Sequence, residues 1–412
     1  TLQGNYYLGE SILRVKTGVQ QNIRSELSEP HSHGAVTILD SNALNLDLVT
    51  FTSRLELETS IGEWTSITGL STEWQQNKID GFEFLIPEHR TQRFGLFSLA
   101  KRKVDERLFF TGGLRYDMGS VNTTAHERLI LNSERDTIYF SRNEGLDEQF
   151  SSWSGSVGLR YDNNSKNELK LNIGKSFRFP TAAELASDGV HHGTFRHEKG
   201  SSDLSSEHGY QFDLSFESNL QRWKINASTY FNYFDDFIYL RPSNRFSRLP
   251  EGDQLWEYTQ HDAIYTGYEL SIQYRLNEHL TFRHQSAYVH NYNLDTYLPL
   301  PFTPPFRFSH EVEYTTQLGS DREMKIGIRH QKVFDQNRVD RNEKATPGYH
   351  VTSAWAGFEN GGDFPFTLRF EVQNLFDQRY LSHLNRYRLL NLPEPGRNLI
   401  VRFIVPFEVK TN

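Results

Sequence analysis

The sequence contains no cysteine and only two methionines among its 412 residues. Without cysteine, the chain cannot carry a disulfide framework or a cysteine-ligated zinc site. No apolar run approaches the roughly 20 residues that a membrane-spanning helix requires, which excludes a helical membrane protein. A formal net charge of -8 argues against nucleic acid as the main partner. The chain begins at Thr1 without a basic-then-apolar leader, and we expect the natural N-terminus to lie upstream.

Helical periodicity is also missing, and an alternation of apolar and polar residues takes its place. In "LFFTGGLRYDM", Leu108, Leu114 and Tyr116 fall on one face of an extended chain, while Arg115 and Asp117 fall on the other. The same period of two recurs in "ELKLNIG", "QFDLSFES", "RWKINASTYFNY" and "FTLRFEVQN". Aromatic residues make up 14% of the chain, a composition that suits strands and the aromatic girdles of membrane interfaces. The pattern predicts strands with one apolar and one charged face.

The connections between these strands alternate between short and long. Short polar turns are predicted near Gly62, Asp105, Asn163, Asn219, Asn277, Ser320 and Gly361. Long polar loops are predicted at 25–42, 78–90, 123–149, 180–206, 241–255, 295–305, 335–348 and 375–396. This arrangement is typical of an outer-membrane barrel and predicts an all-β fold, an antiparallel transmembrane β-barrel of about 16 strands. A soluble propeller is the alternative, but it requires a repeat of fixed period, which the sequence does not show.

Three motifs resemble those of TonB-dependent outer-membrane receptors, and the resemblance covers the whole chain. "NLFDQRY" and "PGRN" near the C-terminus resemble the family's closing signature, "FRFPTAAEL" a mid-barrel segment, and "LPLPFTPPFRF" the approach to a later strand. The signature residues are Phe177, Arg178, Pro180, Asn374, Leu375, Phe376, Tyr380, Pro395, Gly396, Arg397 and Asn398. The resemblance makes 375–396 the last extracellular loop, closed by a final strand with Val401, Phe403, Val405 and Phe407 on the lipid face.

The resemblance also implies parts that this sequence does not contain. Barrels of the family have about 22 strands and enclose an N-terminal plug that contacts a TonB-type energy-transducing protein. We therefore expect residues 1–412 to be the barrel of a longer receptor, without its plug and first strands. Its first strand would be the seventh of the family's barrel, with both ends of the chain facing the periplasm. A complete passive porin of about 16 strands is the alternative.

Histidines in the predicted loops are candidate ligands for a metal or a metal chelate. The segment "SDGVHHGTFRHEKG" offers His191, His192, His197 and Glu198, because imidazole commonly binds zinc, copper and iron. Further loop residues proposed to contact a ligand are Asp188, Arg196, His31, His33, Arg241 and Arg338. Arginines can bind a carboxylate or phosphate through two parallel hydrogen bonds, although loop arginines also bind lipopolysaccharide or simply face the solvent. The histidines, similarly, can be ordinary solvated loop residues.

The residues and the resemblance together lead to a functional expectation. His284 and Ser286 are the nearest approach to a nucleophilic site, but they lack an obvious third member, so we expect no enzyme and no resident cofactor. The resemblance implies an active transporter in the Gram-negative outer membrane that imports an iron-siderophore or another iron complex. Zinc, cobalamin and oligosaccharide are alternative substrates. Its expected partners are a TonB-type protein, outer-membrane lipid and lipopolysaccharide, and a small metal-chelate ligand.

Overall fold

A computed structural model describes residues 1–29, 32–33, 36–37, 41–131, 137–163, 166–191, 196–249 and 252–407, with backbone alone at 32–33, 36–37, 128–131 and 137–140. The first strands are β1 (Leu2–Leu8), β2 (Ser11–Leu27), β3 (Ser32–His33), β4 (Val36–Thr37), β5 (Asn42–Ile61), β6 (Trp64–Asp80), β7 (His89–Lys103), β8 (Leu108–Thr123), β9 (His126–Leu131), β10 (Thr137–Asn143), β11 (Leu146–Asn163) and β12 (Asn167–Arg178). A helix, α1 (Ala182–Ala186), follows. The later strands are β13 (Asp188–His191), β14 (Arg196–Lys199), β15 (Glu207–Asn219), β16 (Trp223–Phe246), β17 (Gln254–Arg275), β18 (Leu280–Asn293), β19 (Arg307–Gln317), β20 (Arg322–Val333), β21 (Tyr349–Asn360), β22 (Phe366–Gln373) and β23 (Asn398–Ile404), with a short 3-10 helix at Arg386–Leu390.

Seventeen of the described strands form one antiparallel wall in which each strand pairs with the next along the wall. The wall runs through β1, β2, β5–β8, β11, β12 and β15–β23, and the hairpins β3–β4, β9–β10 and β13–β14 lie in its long connections. β16 has 24 residues, several times the about 5–6 of a typical soluble strand. Pairing extends from β1 to β23, and no pairing in the described parts of the chain joins these two edges. The predicted all-β, antiparallel barrel fold is confirmed.

The wall has one strand more than the predicted count of about 16. The additional strand arises because β1 and β2 are separate and meet at the tight turn Gly9–Glu10, which is not among the predicted turns. β1 consequently runs toward the end of the barrel that carries the short turns. The prediction that both ends of the chain face the periplasm is therefore wrong for the N-terminal end. The correspondence of the first strand with a particular strand of a longer barrel stays a prediction. A two-residue turn leaves almost no polar interval in the sequence, and this is why it was missed.

The two faces of the wall differ as the alternation predicts. Leu55, Leu70, Leu96, Tyr116 and Trp153 stand side by side on five consecutive strands, and all five side chains are exposed. Apolar rows of this kind are stable against lipid but unfavourable in water. The apolar face of the strands therefore points outward, as a transmembrane barrel requires.

The opposite face of the same strands is polar. On β8, Arg115 alternates with the outward residues; its Nε donates to Asp117 Oδ2 (2.6 Å) and its Nη2 to Ser71 Oγ (2.7 Å). Asp117 is almost fully buried, which is tolerated because the guanidinium satisfies both of its oxygens. Arg115 and Asp117, which the alternation places on the same polar face, thus form an ion pair. In the described parts of the chain, no helix has the length and hydrophobicity needed to cross a bilayer.

A small apolar core closes the interior at the long-loop end. Its buried members are Val121, Ala182, Leu185, Ala186, Leu204 and Ile238, with Leu146, Phe150 and Tyr258 packed against them. Val121 projects inward from β8, so helix α1 lies inside the barrel mouth rather than above it. This inward fold of the connection after β12 positions the residues of the candidate site.

Candidate functional site

The segment "FRFPTAAEL" anchors the inward fold. Arg178, the last residue of β12, donates from Nη1 to Glu184 Oε2 (2.7 Å) and from Nη2 to Glu207 Oε2 (3.0 Å). Thr181 begins α1 as its N-cap, and its hydroxyl and the Glu184 carboxylate form a reciprocal capping box. Pro180 is fully buried, and Phe177 packs on Phe179 at 5.0 Å between ring centroids. The arginine ties β12, α1 and β15 together, so this motif is architectural.

Beyond α1, the hairpin β13–β14 brings Asp188 and His197 together. His197 Nε2 lies 2.6 Å from Asp188 Oδ1, and His197 Nδ1 lies 3.0 Å from Ser247 Oγ. Arg142 Nε lies 3.5 Å from the second carboxylate oxygen of Asp188. Burial would raise the pKa of Asp188, but the hydrogen bond to His197 and the charge of Arg142 hold this pKa below its ordinary value. Both ring nitrogens of His197 are therefore engaged within the loop network.

Arg196 and Glu198 lie on the other side of β14. Arg196 Nε donates to Glu198 Oε1 (2.9 Å), Tyr258 Oη donates to Glu198 Oε2 (3.4 Å), and the guanidinium lies 5.2 Å from the Trp256 ring centroid. Successive residues of an extended strand point in opposite directions, so His197 and Glu198 do not face one ion. Within the described residues, no group of three or more His, Cys, Asp or Glu side chains is arranged to hold a metal ion.

The remaining histidines and arginines predicted as ligands are dispersed. His191 is half-buried at the end of β13, while His192 and His31 lie outside the described residues, so metal contact by the adjacent His191 and His192 stays a prediction. His33 lies in β3, with its backbone alone described. Arg241 stands opposite Glu257 in the β16–β17 ladder, and Arg338 Nη2 donates to the Asn291 carbonyl (3.0 Å).

A set of side chains that the sequence analysis missed occupies the centre of the loops. We call it the Arg–aromatic cluster: Trp256, Phe302, Arg386 and Arg388. The Trp256 and Phe302 rings stack at 5.8 Å, and the Arg386 and Arg388 guanidinium carbons lie 5.7 and 5.5 Å from the Phe302 ring centroid. The only signal in the sequence was the pair of arginines in "RYRLL", whose proximity to Phe302 depends on how three loops converge.

The two arginines of the cluster differ in their charge partners. Arg388 is buried and donates from Nη2 to Glu343 Oε1 (2.7 Å). Arg386 is exposed, and in the described part of the chain no carboxylate lies within ion-pair distance of it. Burial of its inner atoms, together with the nearby charge of Arg196, lowers the pKa of Arg386. The cluster therefore presents a guanidinium that, among the described residues, forms no direct ion pair, with the Glu198 carboxylate acting on it only from a distance.

A buried polar group, which we call the Glu343 latch, holds the cluster in place. It consists of Glu343, His383 and Arg388. His383 Nε2 lies 3.1 Å from Glu343 Oε1, the oxygen that also accepts from Arg388 and from the Phe302 backbone N–H (3.0 Å). Burial alone would raise the pKa of Glu343, but the hydrogen bonds with His383 and Phe302 and the charge of Arg388 bring this pKa below its ordinary value. The latch joins loop 335–348 to loop 375–396.

The C-terminal signature forms the base of the last loop. Asn374 has a positive φ of 49°, and its side chain accepts from the Gln378 N–H (2.8 Å). Asp377 Oδ1 accepts from the Arg397 N–H (2.8 Å), and a Cβ on residue 396 would lie 2.6 Å from this oxygen, which explains Gly396. These contacts hold the end of β22 against the start of β23.

The other signature residues flank this base. The Leu375 N–H donates to the Thr352 carbonyl (2.7 Å), and Tyr380 stacks on Tyr349 at 4.1 Å, while Phe376 remains exposed. Pro395 supplies a carbonyl that accepts from the Asn374 amide at 3.4 Å. Asn398 begins β23, as predicted, but this strand ends at Ile404, so Val405 and Phe407 lie beyond the paired region. The other predicted outward residues, Val401 and Phe403, are exposed.

Comparisons with solved structures identify the same architecture in metal transporters. The copper transporter OprC is 20% identical, with a TM-score of 0.74, over 95% of this chain and 62% of its own. The FrpB iron transporter of Neisseria meningitidis (F5-1 variant) is 17% identical, with a TM-score of 0.69, over 97% of this chain and 62% of its own. The ferric yersiniabactin uptake receptor FyuA of Yersinia pestis is 14% identical, with a TM-score of 0.62, over 92% of this chain and 56% of its own. The chain thus spans about three fifths of the length of these proteins, and the likeness concerns their fold.

The sequence also matches a family model. The model described as "TonB dependent receptor-like, beta-barrel" matches residues 3–375, which is most of the chain. The matched region includes every strand of the wall except β23. The chain belongs to the family of TonB-dependent receptor β-barrels, which lie in the outer membrane of Gram-negative bacteria.

Proposed function

We propose that this protein is an active transporter that binds a scarce metal chelate at its outer face and imports it, with a ferric siderophore or another iron complex as the first candidate. The family consists of transport receptors, and the similar solved structures bear the names of copper, iron and siderophore transporters. Zinc, cobalamin and oligosaccharide are the alternative candidates for the transported substrate. We propose no catalytic role and no resident cofactor.

The Arg–aromatic cluster is the observation that carries the proposal. Many metal chelates carry carboxylate or catecholate groups and are anionic as complexes. Arg386 offers such a complex a guanidinium that forms no ion pair with any described residue, and Phe302 and Trp256 offer flat apolar surface beside it. A guanidinium can grip a carboxylate through two parallel hydrogen bonds. We place the first contact with the ligand at Arg386, with His191 and His192 as proposed contacts for the metal itself.

Energy for import would come from a TonB-type partner through a plug inside the barrel. The inward face of the wall is lined by ion pairs such as Arg115 with Asp117 and Arg283 with Glu313 (2.9 Å). Such a polar lining suits contact with a hydrated, removable domain better than permanent apolar packing. A passive porin is the competing function, and it predicts weak ligand binding and transport that does not require energy.

Uptake of labelled metal complexes tests the proposal. Cells expressing the full-length protein are given ⁵⁵Fe bound to hydroxamate, catecholate or carboxylate chelators, with ⁶⁵Zn and ⁶⁴Cu as further probes. We expect saturable uptake of one iron complex, abolished by a protonophore or by loss of the TonB-type protein. Uptake that persists after de-energisation supports the porin and contradicts the proposal.

Substitution of Arg386 tests where the ligand binds. Loss of a charge-assisted hydrogen bond is worth about 1.5–3 kcal/mol, so Arg386→Gln should weaken binding of the transported anionic complex by roughly 10- to 100-fold. Arg379→Gln is the matched control, because Arg379 is an exposed arginine of the same loop. Equal affinity of the Arg386→Gln and Arg379→Gln variants would remove Arg386 from the site while leaving active transport intact.

A further inference from the structure

The outer wall carries a polar patch where apolar residues are expected. His284, His310 and His330 stand directly opposite one another on β18, β19 and β20, and Lys332 of β20 stands opposite His350 of β21. Polar and basic side chains on a lipid-facing wall are unfavourable unless something compensates them. The patch is not part of the mouth and is not used by the proposed function.

The register shows that these side chains point outward. His310 shares a face of β19 with the exposed Val312, and His330 shares a face of β20 with the exposed Ile326 and Ile328. The residues between them face the interior, where Arg283 and Arg329 pair with Glu311. The carboxylates of β19–β21 fall on the inward face, so in the described part of these strands the outward face is basic without an acidic partner.

The upper part of the patch forms a hydrogen-bonded chain. Lys332 Nζ lies 2.9 Å from His350 Nε2, His350 Nδ1 lies 3.3 Å from His330 Nε2, and His330 Nδ1 lies 3.0 Å from Thr352 Oγ1. Because an ammonium group can only donate, neutral rings with their proton on Nδ1 satisfy all three contacts. All three contacts run in one direction, so one arrangement of the ring protons satisfies them together. The chain fixes the ammonium group of Lys332 in place and leaves two of its three N–H groups for another acceptor.

The position of this chain along the wall identifies its surroundings. His350 is the second residue of β21 and Lys332 the second-last of β20, both at the long-loop end. Next to them lies a group of aromatic rings: Phe306 and Phe334 stack at 4.9 Å, and Lys332 Nζ lies 5.5 Å from the Phe334 centroid. Aromatic girdles mark the membrane–water boundaries of outer-membrane barrels, and the long-loop boundary is the extracellular one. The patch thus meets the lipid head groups of the outer leaflet.

We propose that Lys332, His350 and His330 form a binding site for the phosphate group of a phosphorylated lipid in the outer leaflet. The Lys332 ammonium supplies the positive charge and the N–H donors, and the contacts with His350 and His330 hold this ammonium group in position for the phosphate. The acyl chains of the same lipid would lie along Ile326, Ile328 and Val312 below. Charge complementarity and depth both favour a lipid head group over a free phosphate ion, because a free ion gains nothing from the apolar surface.

Native mass spectrometry of the full-length protein in nanodiscs tests the site. The nanodiscs contain phosphatidylcholine alone or phosphatidylcholine with a minor fraction of lipid A, and retained lipid is counted after gentle release. We expect lipid A to be retained by the unaltered protein and retained at least tenfold less by the Lys332→Gln, His350→Gln double variant, since the loss of one charge-assisted contact is worth about 1.5–3 kcal/mol.

Controls separate this site from general attraction to the barrel. The Arg102→Gln, His279→Gln variant removes one arginine and one histidine at the short-turn end and should retain lipid A like the unaltered protein. Inorganic phosphate added in excess should not displace the lipid. Equal retention by the two double variants, or displacement by inorganic phosphate, would overturn the proposal.

Discussion

At the scale of single residues, the loops depend on a few buried charges. Glu343 Oε1 accepts from Arg388 and from the Phe302 N–H, and it lies 3.1 Å from His383 Nε2. These three partners belong to two different loops. Nothing in the sequence marked Glu343, which lies 40 residues from His383 along the chain. A buried carboxylate is identified by its partners, and these come together only when the chain is folded.

Replacing this carboxylate should loosen the loops. Breaking a buried ion pair by removing one partner costs about 3–5 kcal/mol, because the other charge stays buried. We expect Glu343→Gln to increase hydrogen exchange in loops 335–348 and 375–396 and to spare the strands. Glu278→Gln, in an exposed short turn, is the control and should change neither. Unaltered exchange in the Glu343→Gln variant would show that Arg388 finds another partner.

The same residue predicts a dependence on pH. The pKa of Glu343 is lowered in the folded protein, so its contribution to stability is fully present above the unfolded value, about 4.3. The contribution disappears as the pH falls through the lowered folded value. Loop protection measured by hydrogen exchange should therefore be constant from pH 7 to pH 5 and decrease only below about pH 4. In Glu343→Gln this acid-dependent decrease should be absent.

At the scale of elements, the sequence predicted long strands well and short ones poorly. Alternation over a dozen residues is unambiguous, as in β8 and β15. It fails for β1, which has seven residues, and for β13 and β14, which have four each and fall inside a segment interpreted as loop. The pairing of β14 with β17 is parallel and long-range, and no local pattern encodes it. The resemblance singled out Arg178, but its contacts with Glu184 and Glu207 become visible only in the structure.

The hairpin β13–β14 offers a test at this scale. A Cβ on residue 189 would lie 1.8 Å from the Phe84 carbonyl oxygen, far inside the contact limit. Gly189→Ala should therefore displace β13 from the 84–85 segment and reduce binding of the metal chelate at least tenfold, with the barrel intact. Gly357→Ala is the control, because its nearest atom would be 4.0 Å away. Limited proteolysis reports the displacement; resistance equal to that of the control would contradict the argument.

At the scale of the whole molecule, a single physical pattern explains the architecture. Each strand of the wall places apolar side chains outward and charged or small ones inward, and hydrogen bonding to both neighbours satisfies the backbone. β1 and β23 are exceptions to this backbone pairing, because in the described residues each of them pairs on one side only. Such edges are templates for association. The identity of the metal chelate, by contrast, depends on a few loop contacts that no strand pattern encodes.

The orientation of the faces can be tested with two leucines of one strand. Leu96 is the central residue of β7 and points outward beside Leu70 and Tyr116, whereas Leu99 points inward. An arginine at the bilayer midplane costs a barrel about 2–4 kcal/mol, while an arginine in a polar lumen is tolerated. We expect Leu96→Arg to lower the free energy of unfolding in lipid vesicles by that amount and Leu99→Arg to change it by less than about 1 kcal/mol. Urea titration followed by tryptophan fluorescence measures both, and a larger loss for Leu99→Arg would mean that the assigned faces are reversed.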